Sequence, residues 1–119
     1  MRVQYSIIMV ADMARSVAFY RDVIGMPLRF ETPQWTEFAT EGATFALHTA
    51  DEGTATPEVP LGAGTCRPGF SVDDLDAFHA RMQERDVPCL QEPTEVFGVR
   101  IAQYRDPDGL PLSVSDGGA

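Results

Sequence analysis

The sequence predicts an α+β chain built as two βαβββ modules, their curved mixed sheets bending around a cleft with the helices outside. Three observations predict it. A β-like run ending in Val10-Ala11-Asp12-Met13 leads into an amphipathic helix, and Val72-Asp73-Asp74-Leu75 leads into another. Each helix is followed by three short runs of strand character, so the order strand, helix, three strands occurs twice. The chain then closes on Phe97 to Arg105 and Leu110 to Ser115, which flank the turn tetrapeptide Asp106-Pro107-Asp108-Gly109. Pro107 presets φ for the second turn position, and Gly109 accepts a positive φ.

In chain order, Val3 to Val10 reads as the first strand, with Val3, Tyr5, Ile7 and Met9 on one face and Gln4, Ser6, Ile8 and Val10 on the other. Asp12 is a good N-cap, because its carboxylate accepts from the free amides of the first turn. The helix it opens carries Met13, Val17, Tyr20 and Ile24 on one stripe and stops at Gly25, with Pro27 beyond. Leu28 to Thr32, Trp35 to Thr40 and Ala43 to Thr49 read as three strands turned by Pro33-Gln34 and Glu41-Gly42. Ala50 to Gly64, rich in Gly, Pro, Thr and acid, is a connection. Its stretch from Asp51 to Glu58 reads as part of that connection, a mobile lid being the alternative.

The second module begins with a strand over Cys66 to Val72. Asp73 or Asp74 then caps a helix to about Arg85, with Leu75, Phe78, His79 and Met82 as its stripe. Pro88 to Gln91 makes a short strand. In the closing strand Leu110, Leu112 and Val114 share a face, and Pro111, Ser113 and Ser115 line the other. Module one thus covers residues 1–50, the connection 51–64 and module two 65–115 of a single 119-residue domain.

A net charge of −9 and a pI near 4.4 exclude a nucleic-acid binder, which needs a basic footprint. The acidity favours encounter with a cationic small molecule, or serves solubility alone. The apolar run Ile7 to Val10 is too short for a membrane span or a signal segment. Two cysteines make no secreted disulfide framework, so a cytoplasmic protein with reduced thiols is expected, Cys66 buried and inert.

At this point the chain resembles the vicinal oxygen chelate superfamily of glyoxalases, bleomycin-resistance proteins and extradiol dioxygenases. The resemblance is carried by Val10, Asp12, Ser16, Phe19-Tyr20, Asp22-Val23 and Gly25-Met26, by Phe70-Ser71-Val72 with Asp74 to Ala77, and by Gly98, Arg100, Ala102 and Asp106 to Gly109. It implies metal ligands, His or Glu, on the first and last strands of each module. Those positions fall here on Tyr5, Ala46, Arg67 and Ser113, none a normal ligand for a divalent ion. His48 lies two residues after Ala46 on the same face, and Glu31 and Glu37 sit on neighbouring strands. No cofactor is therefore expected, the alternative being a divalent metal ion at a displaced site.

The candidate ligand-binding residues are Tyr5, Trp35, Phe38, His48, Arg67, Phe97, Arg100 and Ser113. Trp35, Phe38 and Phe97 would stack on a flat ligand, with Arg100 or Arg67 fixing a polar group. Core packing is the other fate open to Phe38 and Phe97, and an internal ion pair the other use of Arg67. His48 is the best catalytic candidate, as hydrogen-bond partner or general base. His79, on an apolar stripe, reads as a core or boundary residue.

Three readings follow. The first is a metal-free binding protein similar to the bleomycin-resistance type, which implies antibiotic resistance by sequestering a cationic or aromatic drug. The second is a glyoxalase-like lyase or isomerase, or a dioxygenase, with an atypical or absent metal site and His48, Tyr5 and Arg100 as its polar groups. The third is a structural or interaction dimer with a vestigial cleft. A homodimer is expected under all three, since open sheet edges invite pairing and the resemblance implies clefts shared between chains.

Overall fold

Alternation of apolar and polar side chains sets the strands, and the computed structural model describes them within residues 3–50, 66–96 and 98–116. The chain divides into two units, Met1–Pro57 and Glu58–Ala119. In the first, β1 (Tyr5–Val10) is followed by the helix α1 (Met13–Ala18), a wider π-helical turn over Phe19–Ile24, and the strands β2 (Leu28–Glu31), β3 (Trp35–Phe38) and β4 (Thr44–Thr49). The sheet order is β1-β4-β3-β2, with β1 parallel to β4 and the other pairs antiparallel.

The second unit repeats this plan. It contains β5 (Gly69–Ser71), α2 (Leu75–Glu84), β6 (Cys89–Val96), β7 (Val99–Arg105) and β8 (Pro111–Ser115). Its sheet order is β5-β8-β7-β6, again with one parallel pair, β5 with β8. Both helices are capped by aspartate. Asp12 accepts from the Arg15 amide at 3.1 Å, and Asp74 accepts from the Ala77 amide at 3.0 Å. At the end of the π-helical turn the amides of Gly25 and Met26 both donate to the Tyr20 carbonyl, and Gly25 takes φ 95°.

Each helix covers one face of its own sheet. In the first unit Met13, Val17, Tyr20 and Ile24 are buried, as their spacing predicts. Tyr20 meets Phe45 and Phe38 at ring-centroid distances of 4.9 and 6.2 Å. Burying a side chain of that size contributes about 2–3 kcal/mol. In the second, Leu75, Phe78 and Met82 pack toward the face bearing Ala102, Tyr104, Leu112 and Val114. Among the described residues, neither sheet has a helix of its own unit on the other face.

The closing turn forms as its residues require. Asp106 Oδ1 accepts from the amides of Asp108 and Leu110 at 2.9 and 2.8 Å, and Gly109 has φ 86°. Most strands begin and end within two residues of the expectation, and β5 and β6 depart furthest. β5 is shorter than 66–72, because Pro68 has no N–H for a ladder and can only offer its carbonyl, which accepts from Ser113. β6 runs on to Val96, past Pro93, because register shifts between Cys89 and Gln91 and between Gln91 and Thr94 absorb the irregularity. Cys66, expected to be buried, is exposed ahead of the shortened β5, and Cys89 is exposed as well. The stretch from Asp51 to Gly64 lies outside the described residues.

Candidate functional site

The open face of the first sheet follows from period two and the strand register. Tyr5, Ile7 and Met9 of β1 pair with Thr44, Ala46 and His48 of β4, and Glu37 and Trp35 of β3 pair with Ala46 and His48. Side chains opposite one another in a ladder share a face, so these eight residues stand together, away from α1. Tyr5, Ile7 and Met9 are 42, 49 and 53% exposed. Ala46, in the centre, is fully buried although it lies on this face. A methyl group there leaves room for the larger neighbours to close over it.

Three rings form a row across the strands. Trp35 stands edge-on to Tyr5 and to His48, each at a centroid distance of 6.0 Å. The indole N–H donates to Glu37 Oε2 at 2.9 Å, and Arg29 Nη1 donates to Glu37 Oε1 at 3.2 Å. Arg29 also reaches Thr44 Oγ1 at 3.5 Å, a marginal contact. Leu28 pairs with Phe38 on the helix side, so alternation gives Arg29 to this side, and the register shift that follows sets Phe30 opposite Glu37. Behind Trp35 the two-residue turn Pro33-Gln34 is fastened by Thr32, whose Oγ1 accepts from the Trp35 amide and donates to the Trp35 carbonyl. The ring is therefore anchored at its backbone and at its indole nitrogen.

His48 is fixed as well. Its Nδ1 lies 2.7 Å from the Thr49 carbonyl oxygen, which can only accept, so Nδ1 carries the proton. In the neutral ring Nε2 is then a free acceptor, and among the described residues it has no hydrogen-bond partner.

Tyr5, Trp35 and His48, three of the candidates, thus stand together on one face. Phe38 is a correction. It points to the helix side, fully buried against Tyr20 and Phe45, because its parity in β3 is opposite to that of Trp35 and Glu37. Glu31 pairs with the buried Thr36 and so also falls on the helix side. Arg100 is a second correction: it shares the parity of Ala102 and Tyr104, and its guanidinium makes a two-pronged pair with Asp76 of α2 at 2.8 and 3.0 Å. That pairing holds the Asp76 carboxyl below the usual range, chiefly through the hydrogen bond from Arg100. Arg67 is a third, since it precedes β5 and is not inside a strand. Ser113 sits on the open face of the second sheet, between Gly69 and Gln103. Phe97 lies outside the described residues. His79 is a boundary residue, with Nδ1 2.8 Å from the Tyr104 hydroxyl. Arg29 is the participant that the sequence reading missed; its one signal is a place eight residues before Glu37 across a hairpin.

The family sequence profile of the Glyoxalase/Bleomycin resistance protein/Dioxygenase superfamily matches residues 2–114. The chain belongs to this superfamily. Within it, the chain is 31% identical over 121 residues to the uncharacterized protein YaeR of Escherichia coli K12, covering 95% of this chain and 94% of that one. The solved structure of TnmS3, an antibiotic binding protein from Streptomyces sp. CB03234, is 28% identical, with a TM-score of 0.73 and coverage of 96% and 93%. A lactoylglutathione lyase from Agrobacterium tumefaciens shares the fold at 22% identity, with a TM-score of 0.77 and coverage of 97% and 92%.

Superfamily enzymes that use a divalent ion need nitrogen and oxygen donors at the four positions identified above, and the donor chemistry here does not fit. Ala46 has no donor atom, Arg67 is a cation, and Tyr5 and Ser113 offer neutral hydroxyls. Among the described residues no three His, Cys, Asp or Glu side chains cluster to hold an ion. Among the same residues no helix is long and apolar enough to cross a membrane.

Proposed function

We propose that this superfamily member is a small-molecule-binding protein of the drug-sequestering kind, holding a flat, largely apolar guest on the open face of its first sheet without making or breaking a bond. The observation that carries this reading is the row of Tyr5, Trp35 and His48, anchored at both ends of the tryptophan and flanked by exposed Ile7 and Met9. Rigid aromatic side chains bind flat molecules with little ordering cost, since their rotamers are already fixed. The likeness to an antibiotic binding protein supports a guest of that class. The poor donor set supports binding in place of metal-assisted turnover. The homodimer and the cytoplasmic location expected from the sequence belong to the same reading.

Trp35 is the chain's single tryptophan, so its emission reports directly on this face. A panel of aromatic and cationic small molecules, screened by that emission and confirmed by calorimetry, should yield saturable one-site binding. Dialysed protein offered Zn, Ni, Mn, Co and Fe(II) should take up none near one per chain. Stoichiometric uptake of any of them would sink the metal-free part of the reading.

A further inference from the structure

The charges on the first open face cancel among themselves. Arg29 and Glu37 pair directly, and both carboxylate oxygens of Glu37 are engaged, one by Arg29 and one by the Trp35 indole. The side chain of Glu37 is only 12% exposed. The β1 residues on this face, Tyr5, Ile7 and Met9, carry no charge, and on β4 the ionisable residue is His48. A cationic guest would have to compete with Arg29 for Glu37, so the acidity of the chain as a whole is not expressed here. Among the described residues the face leaves two polar groups without a hydrogen-bond partner, the exposed Tyr5 hydroxyl and His48 Nε2. Of these the imidazole nitrogen is the one that can only accept, and it is held in place by the bond from Nδ1 to the Thr49 carbonyl. Strands about 4.8 Å apart put roughly 10 Å between β1 and β3, the width of a fused two-ring system.

We propose that this face selects an uncharged, planar, fused-ring molecule that donates one hydrogen bond, from a phenol or a ring N–H, to His48 Nε2. The inference rests on the aromatic row being the ligand site and adds to it the chemical class of the guest. An apolar ring satisfies Trp35 and Tyr5, and the donor satisfies the nitrogen that ring stacking would otherwise leave desolvated and unpaired. Discrimination of this kind is strong because a buried acceptor without its donor is costly.

The test uses three probes of one shape: 2-naphthol, its methyl ether 2-methoxynaphthalene, and the cation 2-naphthylmethylammonium, each titrated by calorimetry and by Trp35 emission. In the unsubstituted protein 2-naphthol should bind roughly tenfold more tightly than the ether, with the ammonium compound no better than the ether. In His48→Phe the preference for naphthol over its ether should vanish while the ether still binds. In His48→Gln, whose side-chain carbonyl can accept, the preference should persist. Equal binding of naphthol and ether, tightest binding of the ammonium probe, or a preference that survives His48→Phe overturns the inference and leaves the aromatic site standing. If none of the three binds, the aromatic site itself is wrong.

Discussion

The Trp35 indole N–H donates to Glu37 Oε2, two residues along the same strand, at 2.9 Å. This bond lays the indole along β3, where its ring meets His48 of the adjacent strand β4 and Tyr5 of β1 beyond it. Glu37 in turn is held by Arg29, so an ion pair on β2 and β3 sets the pose of an aromatic side chain. The pose of Trp35 is therefore fixed by electrostatics at its edge as much as by packing beneath it.

Trp35→Ala should weaken binding of any guest on this face by about tenfold or more, since stacking on one aromatic ring contributes roughly 0.5–1.5 kcal/mol beyond the area it buries. Folding stability should fall by only about 1 kcal/mol, because Trp35 is half-buried on a face without a helix. Ligand titration beside urea denaturation separates the two effects. Affinity unchanged from the unsubstituted protein would remove Trp35 from the site.

Asp106→Ala should cost about 2 kcal/mol of stability. Its carboxylate, 5% exposed, accepts from the amides of Asp108 and Leu110, and truncation leaves both donors of the closing turn without that acceptor. Urea unfolding of Asp106→Ala and Asp106→Asn checks this. The asparagine variant retains one carbonyl oxygen and should recover part of the loss.

Ser16→Ala should leave stability unchanged or raise it by up to about 1 kcal/mol. Ser16 Oγ is buried on α1 and has no hydrogen-bond partner among the described residues, so the hydroxyl carries a desolvation cost that a methyl group does not. A drop of more than that amount in denaturant midpoint, at constant slope, would count against the orphaned hydroxyl.

Alkaline pH should lower the stability of the fold through Tyr104. Burial pushes its phenol up to about 12, from an ordinary value near 10, and the raised value means the fold favours the neutral form. The unfolded chain ionises first, so this contribution is intact below pH ~10 and is lost as pH rises through ~12. Tyr104→Phe should flatten that loss, at the expense of the hydrogen bond to His79. Thermal melts of both proteins across that pH range measure it, and identical slopes would show that Tyr104 is not the group responsible.

Much of the architecture was legible because it depends on local spacing. Asp12 and Asp74 stand where caps belong, the helix stripes bury the residues their period selects, and Gly25 takes the positive φ its place requires. Alternation puts His48 on the face of Ala46, the family resemblance puts Ala46 and Tyr5 on the cleft side, and Trp35 is read there from its place beside the turn. Phe38 and Arg100 have the chemistry of a ligand site, but their parity directs them to the helix side. Both sit at positions whose strand neighbours two residues away are buried on the helix side, which decides their direction.

The sequence by itself determined the duplicated order of strands and helices, the caps and turns, and the absence of ligand chemistry at Ala46 and Arg67. Those depend on neighbours within a few residues, where backbone sterics and hydrophobic period act directly. Only the tertiary structure decided that Arg29 reaches Glu37, that Arg100 is committed to Asp76, and that the His48 proton sits on Nδ1. Each of these depends on strand register, on a bulge, or on a side-chain rotamer seated against a particular carbonyl. Such features are set by how distant segments pack, and no local pattern in the chain specifies them.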